Sequence, residues 1–135
     1  MIKVYYACSI RGGRDKSNNY ELIASIINKY ANILDKHVYD NKLTIDGEKL
    51  KDEIIYQRDI AMIKDCDILI AEVSNPSLGV GYEIGYAEKL NKKIVCLCES
   101  NINLSAMING NKNNRVIYYE KIGEIENKLI KYLEE

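Results

Sequence analysis

The sequence predicts an α/β fold, a single domain over residues 1–135 built on a doubly wound, mainly parallel sheet of about five strands with helices on both faces. Apolar, β-branched runs alternate with stretches of helical periodicity from one end of the chain to the other. Two inner runs, 67–73 and 93–98, are almost continuously apolar, as parallel strands buried on both faces must be. Such alternation requires right-handed crossovers and brings the loops that follow the strands to one end of the sheet, where ligands bind.

Taken in order, residues 2–8 are a short apolar and aromatic run that stops at Ser-Ile-Arg-Gly-Gly, a strand followed by a loop. Tyr20, Ile23, Ile27, Tyr30 and Leu34 recur at steps of three and four, which predicts a helix over about 18–34 with one apolar stripe. His37, Val38 and Tyr39 suggest a second, short strand, and residues 40–50 read as a loop. A helix is expected over about 51–65, then the central strand at 67–73, a loop from Ser74 to Gly81, and a helix over about 82–90. The strand pattern returns at 93–98 and 116–119. Ile122, Ile125, Leu129 and Leu133 mark a last amphipathic helix.

Composition narrows the function. Hydrophobic residues make up 47% and charged residues 29%, ordinary for a globular domain. Nineteen basic and twenty acidic residues leave a net charge of −1, so no field attracts a polyanion, and nucleic acid and membrane surfaces are disfavoured as partners. No segment approaches a membrane span, the first apolar run is too short for a signal peptide, and a cytoplasmic location is expected. Cys8, Cys66, Cys96 and Cys98 lack C-x-x-C spacing and sit in apolar surroundings, so buried thiols are expected, with no metal or other cofactor.

Two loops after predicted strands carry the candidate chemistry. Ser9-Ile-Arg-Gly-Gly-Arg14 offers a hydroxyl, two glycines and arginines ahead of a helix, which suits one phosphate group; it is also an ordinary strand-to-helix turn. It lacks the G-K-S/T of a triphosphate loop. The second loop runs into Gly79-Val-Gly-Tyr-Glu-Ile-Gly85, whose third glycine comes one residue too late for a dinucleotide fingerprint. Glu83 is expected in the first turn of its helix, where the dipole favours a carboxylate, although Glu is also a common helix-start residue. Asp59 reads locally as a solvated charge or a partner of Arg58, and acquires interest if its helix sets it over the same end of the sheet as Glu83. Local pattern gives His37, Ser77 and Ser105 no role of their own.

The segments 9–14 and Pro76-Ser-Leu-Gly-Val-Gly-Tyr-Glu-Ile-Gly85, followed by 91–98 and Leu104-Ser-Ala-Met107, closely resemble the 2′-deoxynucleoside 5′-monophosphate N-hydrolases, relatives of the nucleoside 2-deoxyribosyltransferases with a Rossmann- or flavodoxin-like sheet. The resemblance covers nearly the whole chain. It implies an enzyme that splits the N-glycosidic bond of a (2′-deoxy)nucleoside 5′-monophosphate, with Glu83 as nucleophile, Asp59 assisting departure of the base, and Tyr5 beside the sugar. Ser9, Arg11, Gly12, Ser77 and Gly79 match phosphate-holding positions, and Ser105 matches a serine lent by a neighbouring subunit, so a homodimer with shared active sites is implied. Ile10 and His37 match positions lining the base pocket. The chain departs from the family in 40–50 and 99–103. Base exchange by a deoxyribosyltransferase, or nucleotide sensing without chemistry, are the alternative readings.

Overall fold

A computed structural model describes residues 1–9, 17–36 and 49–135, with 17 and 18 as backbone alone. Five strands form one sheet in the order β2-β1-β3-β4-β5: β1 (Ile2–Ala7), β2 (Ala31–Ile33), β3 (Ile68–Glu72), β4 (Lys93–Glu99) and β5 (Asn114–Tyr119). Every neighbouring pair is parallel. The predicted α/β class and the sheet of five strands are therefore observed. Chain order reverses direction at β1, which is flanked by β2 and β3, so a crevice opens where the connections leave to opposite sides.

Helices α1 (Ser17–Asn28) and α5 (Ile125–Leu133) cover one face, and α2 (Asp52–Asp65) and α3 (Leu78–Lys89) cover the other. Strand residues alternate between the two cores because successive side chains point to opposite faces. Tyr6, Ile70 and Leu97 meet Ile23, Ile27 and Leu129 on the first face, while Tyr5, Leu69 and Cys96 meet Ile63, Ile84 and Ala87 on the second. All four cysteines are buried free thiols. Burial pushes Cys96 up to about 12, so it behaves as a small apolar side chain. No helix among the described residues is long and apolar enough to cross a membrane.

Two boundaries differ from the sequence pattern. The first helix ends at Asn28 and the chain turns through Lys29 and Tyr30 into β2. Its predicted last turn is thus strand: Ala31 and Ile33 are buried beside β1, with Asn32 exposed between them. The suggested strand at His37–Tyr39 lies outside the described residues. The third predicted helix starts four residues earlier, at Leu78, because Ser77 Oγ accepts the Val80 N–H at 3.2 Å and caps it. Its end is set by Asn91, which takes the left-handed conformation at φ 59°. There the Lys92 N–H closes back on the Ala87 carbonyl at 3.0 Å.

Leu97 is fully buried at the centre of β4. Leu97→Ala is expected to lower unfolding free energy by about 2–5 kcal/mol, from lost transfer energy plus a cavity. Urea denaturation followed by circular dichroism checks this.

Candidate active site

A cleft of about 1370 Å³ opens beyond the carboxyl ends of β1 and β3 and runs along α3 as far as Glu88, Asn111 and Asn114. The loop from Val73 to Ser77 and the start of α3 form its floor, Tyr56 and Asp59 of α2 one wall, and the segment from Ile102 to Met107 the opposite rim. The last of these leads into a short helix, α4 (Ala106–Asn109), capped by Ser105, whose Oγ accepts the Met107 N–H at 3.3 Å. Leu78, Tyr82 and Met107 stand exposed around the opening at 97%, 56% and 85%, leaving an apolar rim.

Glu83 falls in the second turn of α3, not the first. Its ionisation is therefore set by surroundings more than by the helix end. Ile84 and Ala87 pack into the core beside it and orient α3, which leaves Glu83 partly buried between the cleft and β1. Tyr5 Oη donates a short hydrogen bond to Glu83 Oε2. Burial is the largest influence and pushes the Glu83 carboxyl up to about 7. The Tyr5 hydrogen bond and the Arg58 charge pull it down, while the Asp59 charge pushes it further up.

Tyr5 is 1% exposed. Burial, then the negative charges of Glu83, Asp35 and Asp59, hold its phenol far above the usual range. It is thus a permanent donor, aimed at one carboxylate oxygen, and leaves the other oxygen unengaged by it. On α2, Arg58 Nε donates to Asp59 Oδ1 at 2.9 Å. Asp59 lines the cleft together with Glu83. The condition attached to Asp59 in the sequence is met: its helix sets it at the same end of the sheet as Glu83. Of its two local readings the structure has the partner of Arg58 and not the solvated charge, since its side chain is 17% exposed.

The structure thus brings Tyr5, Asp59 and Glu83 together, with Ser77, Gly79 and Ser105 around the same cleft. Ser77 serves as the α3 cap, and Gly79, Gly81 and Gly85 line the opening. Among the described residues, a Cβ at Gly81 or Gly85 would meet nothing within 4 Å, so packing against them does not require glycine there. Ser9 follows β1 and is fully buried. Ile10, Arg11, Gly12 and His37 lie outside the described residues. Among the described residues no group of three His, Cys, Asp or Glu side chains is arranged to hold a metal ion.

Sequence reasoning missed Asp35. It follows β2 and is wholly buried; its Oδ1 accepts the Tyr6 N–H at 2.7 Å, continuing the β1 ladder beyond the end of β2. Among the described residues its Oδ2 has no hydrogen-bond partner. Burial, then the charges of Glu83 and Asp59, raise its carboxyl well above the ordinary range. The signal was a lone acid directly after Ile33-Leu34, masked by reading those residues as helix.

Comparison with known proteins gives a consistent picture. The family model for nucleoside 2-deoxyribosyltransferase matches residues 4–127. A 5-hydroxymethyl-dUMP N-hydrolase of Mus musculus is 41% identical, covering 97% of this chain and 79% of its own length. Among solved structures, a CMP N-glycosidase of Clostridium botulinum, BcmB, superposes with a TM-score of 0.66 at 26% identity, over 95% of this chain and 98% of that one. A 2-deoxyribosyltransferase of Bacillus psychrosaccharolyticus shares the fold at a TM-score of 0.68 and 16% identity, over 93% and 90%.

Because burial opposes ionisation and Tyr5 favours it, Glu83 should titrate near pH 7. Tyr5→Phe, which removes the donor but keeps the ring, should move that midpoint to higher pH. Carbon-13 NMR of the glutamate carboxyls across pH 4–9 would test both; a midpoint unmoved or lowered in the variant contradicts the assignment of the hydrogen bond.

Proposed function

The chain belongs to the nucleoside 2-deoxyribosyltransferase family, and we propose that it hydrolyses the N-glycosidic bond of a 2′-deoxynucleoside 5′-monophosphate to free base and 2-deoxyribose 5-phosphate. The observation that carries this reading is the Tyr5–Glu83 pair facing a cleft that Asp59 also lines. Breaking the bond between C1′ and the base builds positive charge on the sugar and pushes an electron pair onto the base nitrogen. Glu83, held by Tyr5, supplies the anion below C1′ and forms an ester with it as the base leaves. Asp59 gives the departing base a proton. Water then attacks C1′, Asp59 takes its proton back, and Glu83 is released, the retaining logic of paired carboxyls about 5 Å apart in O-glycosidases.

The 5′-phosphate is the handle that seats the sugar over Glu83, and binding energy from this remote group is what the chemical step draws on. Ser9, Arg11, Gly12, Ser77 and Gly79 are its proposed partners, with Ser105 of the partner subunit closing the site. The apolar rim of Leu78, Tyr82 and Met107 supports a homodimer across this opening, and the space left at Gly81 and Gly85 by the described residues gives a second subunit or a ligand room to approach the backbone. Ile10 and His37 are assigned to the base pocket, and the cytoplasm is the proposed location. The names of the mouse and Clostridium relatives favour water over a second base as acceptor, and together they leave both deoxyribose and ribose as sugars to assay.

Glu83→Gln is expected to lower base release from 5-hydroxymethyl-dUMP by roughly a thousandfold or more while the circular dichroism spectrum stays unchanged. Chromatography of released base measures it, and a folded variant with full activity sinks the assignment. Sharing of sites between subunits has its own test. Co-expressed Glu83→Gln and Ser105→Ala chains should form mixed dimers with one intact site, restoring roughly a quarter of the wild-type rate; activity no higher than that of the two separate variants combined rules out an exchanged Ser105.

A further inference from the structure

A buried polar network lies beneath the cleft and takes no part in the chemistry proposed above. Glu72, the last residue of β3, is 2% exposed, and Ser74 just beyond it is 3% exposed. The Ser74 N–H donates to Glu72 Oε1 at 2.8 Å and Ser74 Oγ donates to Glu72 Oε2 at 2.8 Å. From β5, Tyr119 Oη donates to that same Oε2. From β4, the Glu99 N–H donates to Ser74 Oγ at 2.9 Å. Two backbone bonds flank the cluster, Val73 N–H to the Leu97 carbonyl and Ser100 N–H to the Tyr119 carbonyl, both at 2.9 Å.

Such an arrangement is costly to bury for stability alone. A carboxyl taken out of water needs its lone pairs filled, and an apolar side chain of similar size would serve the core as well. What the network achieves is local: three strand ends are tied to Ser74, the first residue of the segment Ser74-Asn75-Pro76-Ser77 that enters α3. Ser74, Asn75, Pro76, Ser77 and Gly79 all line the cleft, whereas Glu72 and Tyr119 do not.

We propose that Glu72 and Tyr119 are positioning residues that hold the Ser74–Ser77 segment rigid for the substrate's 5′-phosphate. The inference rests on the reading of Ser77 and Gly79 as phosphate partners. With the segment fixed before substrate arrives, Ser77 and the first N–H groups of α3 meet the phosphate without an ordering cost. Tyr119→Phe removes one hydrogen bond and keeps the ring; Glu72→Gln keeps the shape of the side chain and loses its charge. Either change frees the segment while leaving Tyr5, Asp59 and Glu83 in place.

The test compares 5-hydroxymethyl-dUMP with the nucleoside 5-hydroxymethyl-2′-deoxyuridine in wild type, Tyr119→Phe and Glu72→Gln. Tyr119→Phe is expected to lower kcat/KM for the nucleotide roughly tenfold, mainly through KM, the scale of one buried hydrogen bond. Its kcat/KM for the nucleoside should not change. Equal losses on both substrates, or no loss on either, overturn the proposal in favour of a purely structural network. Should Glu72→Gln fail to fold, Tyr119→Phe alone decides the matter. A wild-type protein that hydrolyses nucleotide and nucleoside equally well overturns the phosphate reading itself, and this inference with it. A wild-type preference for the nucleotide that survives intact in Tyr119→Phe overturns the inference alone.

Discussion

The site depends on one constraint, the two-residue period of a strand covered on both faces. Tyr5 and Tyr6 are neighbours in β1, and the pleat sends them to opposite sides. Tyr6 enters the core under α1 and donates to the Tyr20 carbonyl at 3.1 Å. Tyr5 enters the core under α2 and α3, where its phenol reaches Glu83. A register shift of one residue would exchange the two rings and remove the donor from Glu83. Four parallel neighbours in register, from Val4 opposite Ile68 to Ala7 opposite Ala71, prevent that shift.

Burial then does chemical work on the carboxyl that the sheet has positioned. An exposed glutamate is a stable, weakly reactive anion; Glu83 is partly withdrawn from water and its proton is held to about pH 7. The folded protein binds this proton more tightly than the unfolded chain does. Stability from that difference is present below the unfolded carboxyl range and fades as pH rises through about 7, so ionising Glu83 costs the fold some of its stability. The Tyr5 hydrogen bond and the Arg58 charge limit this cost, and Asp59 adds to it. In the proposed mechanism a destabilised anion beside a developing cation is the arrangement that electrostatic catalysis needs, because bond formation at C1′ would relieve the strain of the charge.

Legibility in the sequence followed the strength of each periodic signal. The apolar runs at 67–73 and 93–98 and the stripe from Ile122 to Leu133 leave little freedom, and the structure has strands and a terminal helix there. Ala31-Asn32-Ile33 was hidden because Tyr30 and Leu34 continue the helical spacing across it, and three residues are too few to show a period of two. The start of α3 was misread because Leu-Gly-Val-Gly has weak helix propensity; the cap at Ser77 outweighs that penalty. Glu83 and Asp59 were found through the resemblance, not through spacing. Which of two adjacent tyrosines meets Glu83, and that Asp35 is buried nearby, are consequences of strand pairing between residues far apart in the chain.

Two glutamates at the same end of the sheet show how environment separates structural from chemical roles. Glu72 receives Ser74 through both its N–H and its hydroxyl, and Tyr119 as well, so its lone pairs are committed to the protein. To Glu83 the described residues bring one donor, Tyr5, on one oxygen. The residue type is the same and the partner in each case includes a buried tyrosine, although Glu72 is fully buried and Glu83 only partly. What differs is where the remaining lone pairs are directed: into a closed ring of hydrogen bonds for Glu72, and toward an open cleft for Glu83. A carboxylate with three donors on its roughly four acceptor sites has little electron density left to give to carbon, whereas one held by a single donor is oriented with acceptor sites to spare. On the proposed mechanism Tyr5 therefore fixes Glu83 without quenching it, and the three donors around Glu72 make that residue part of the scaffold.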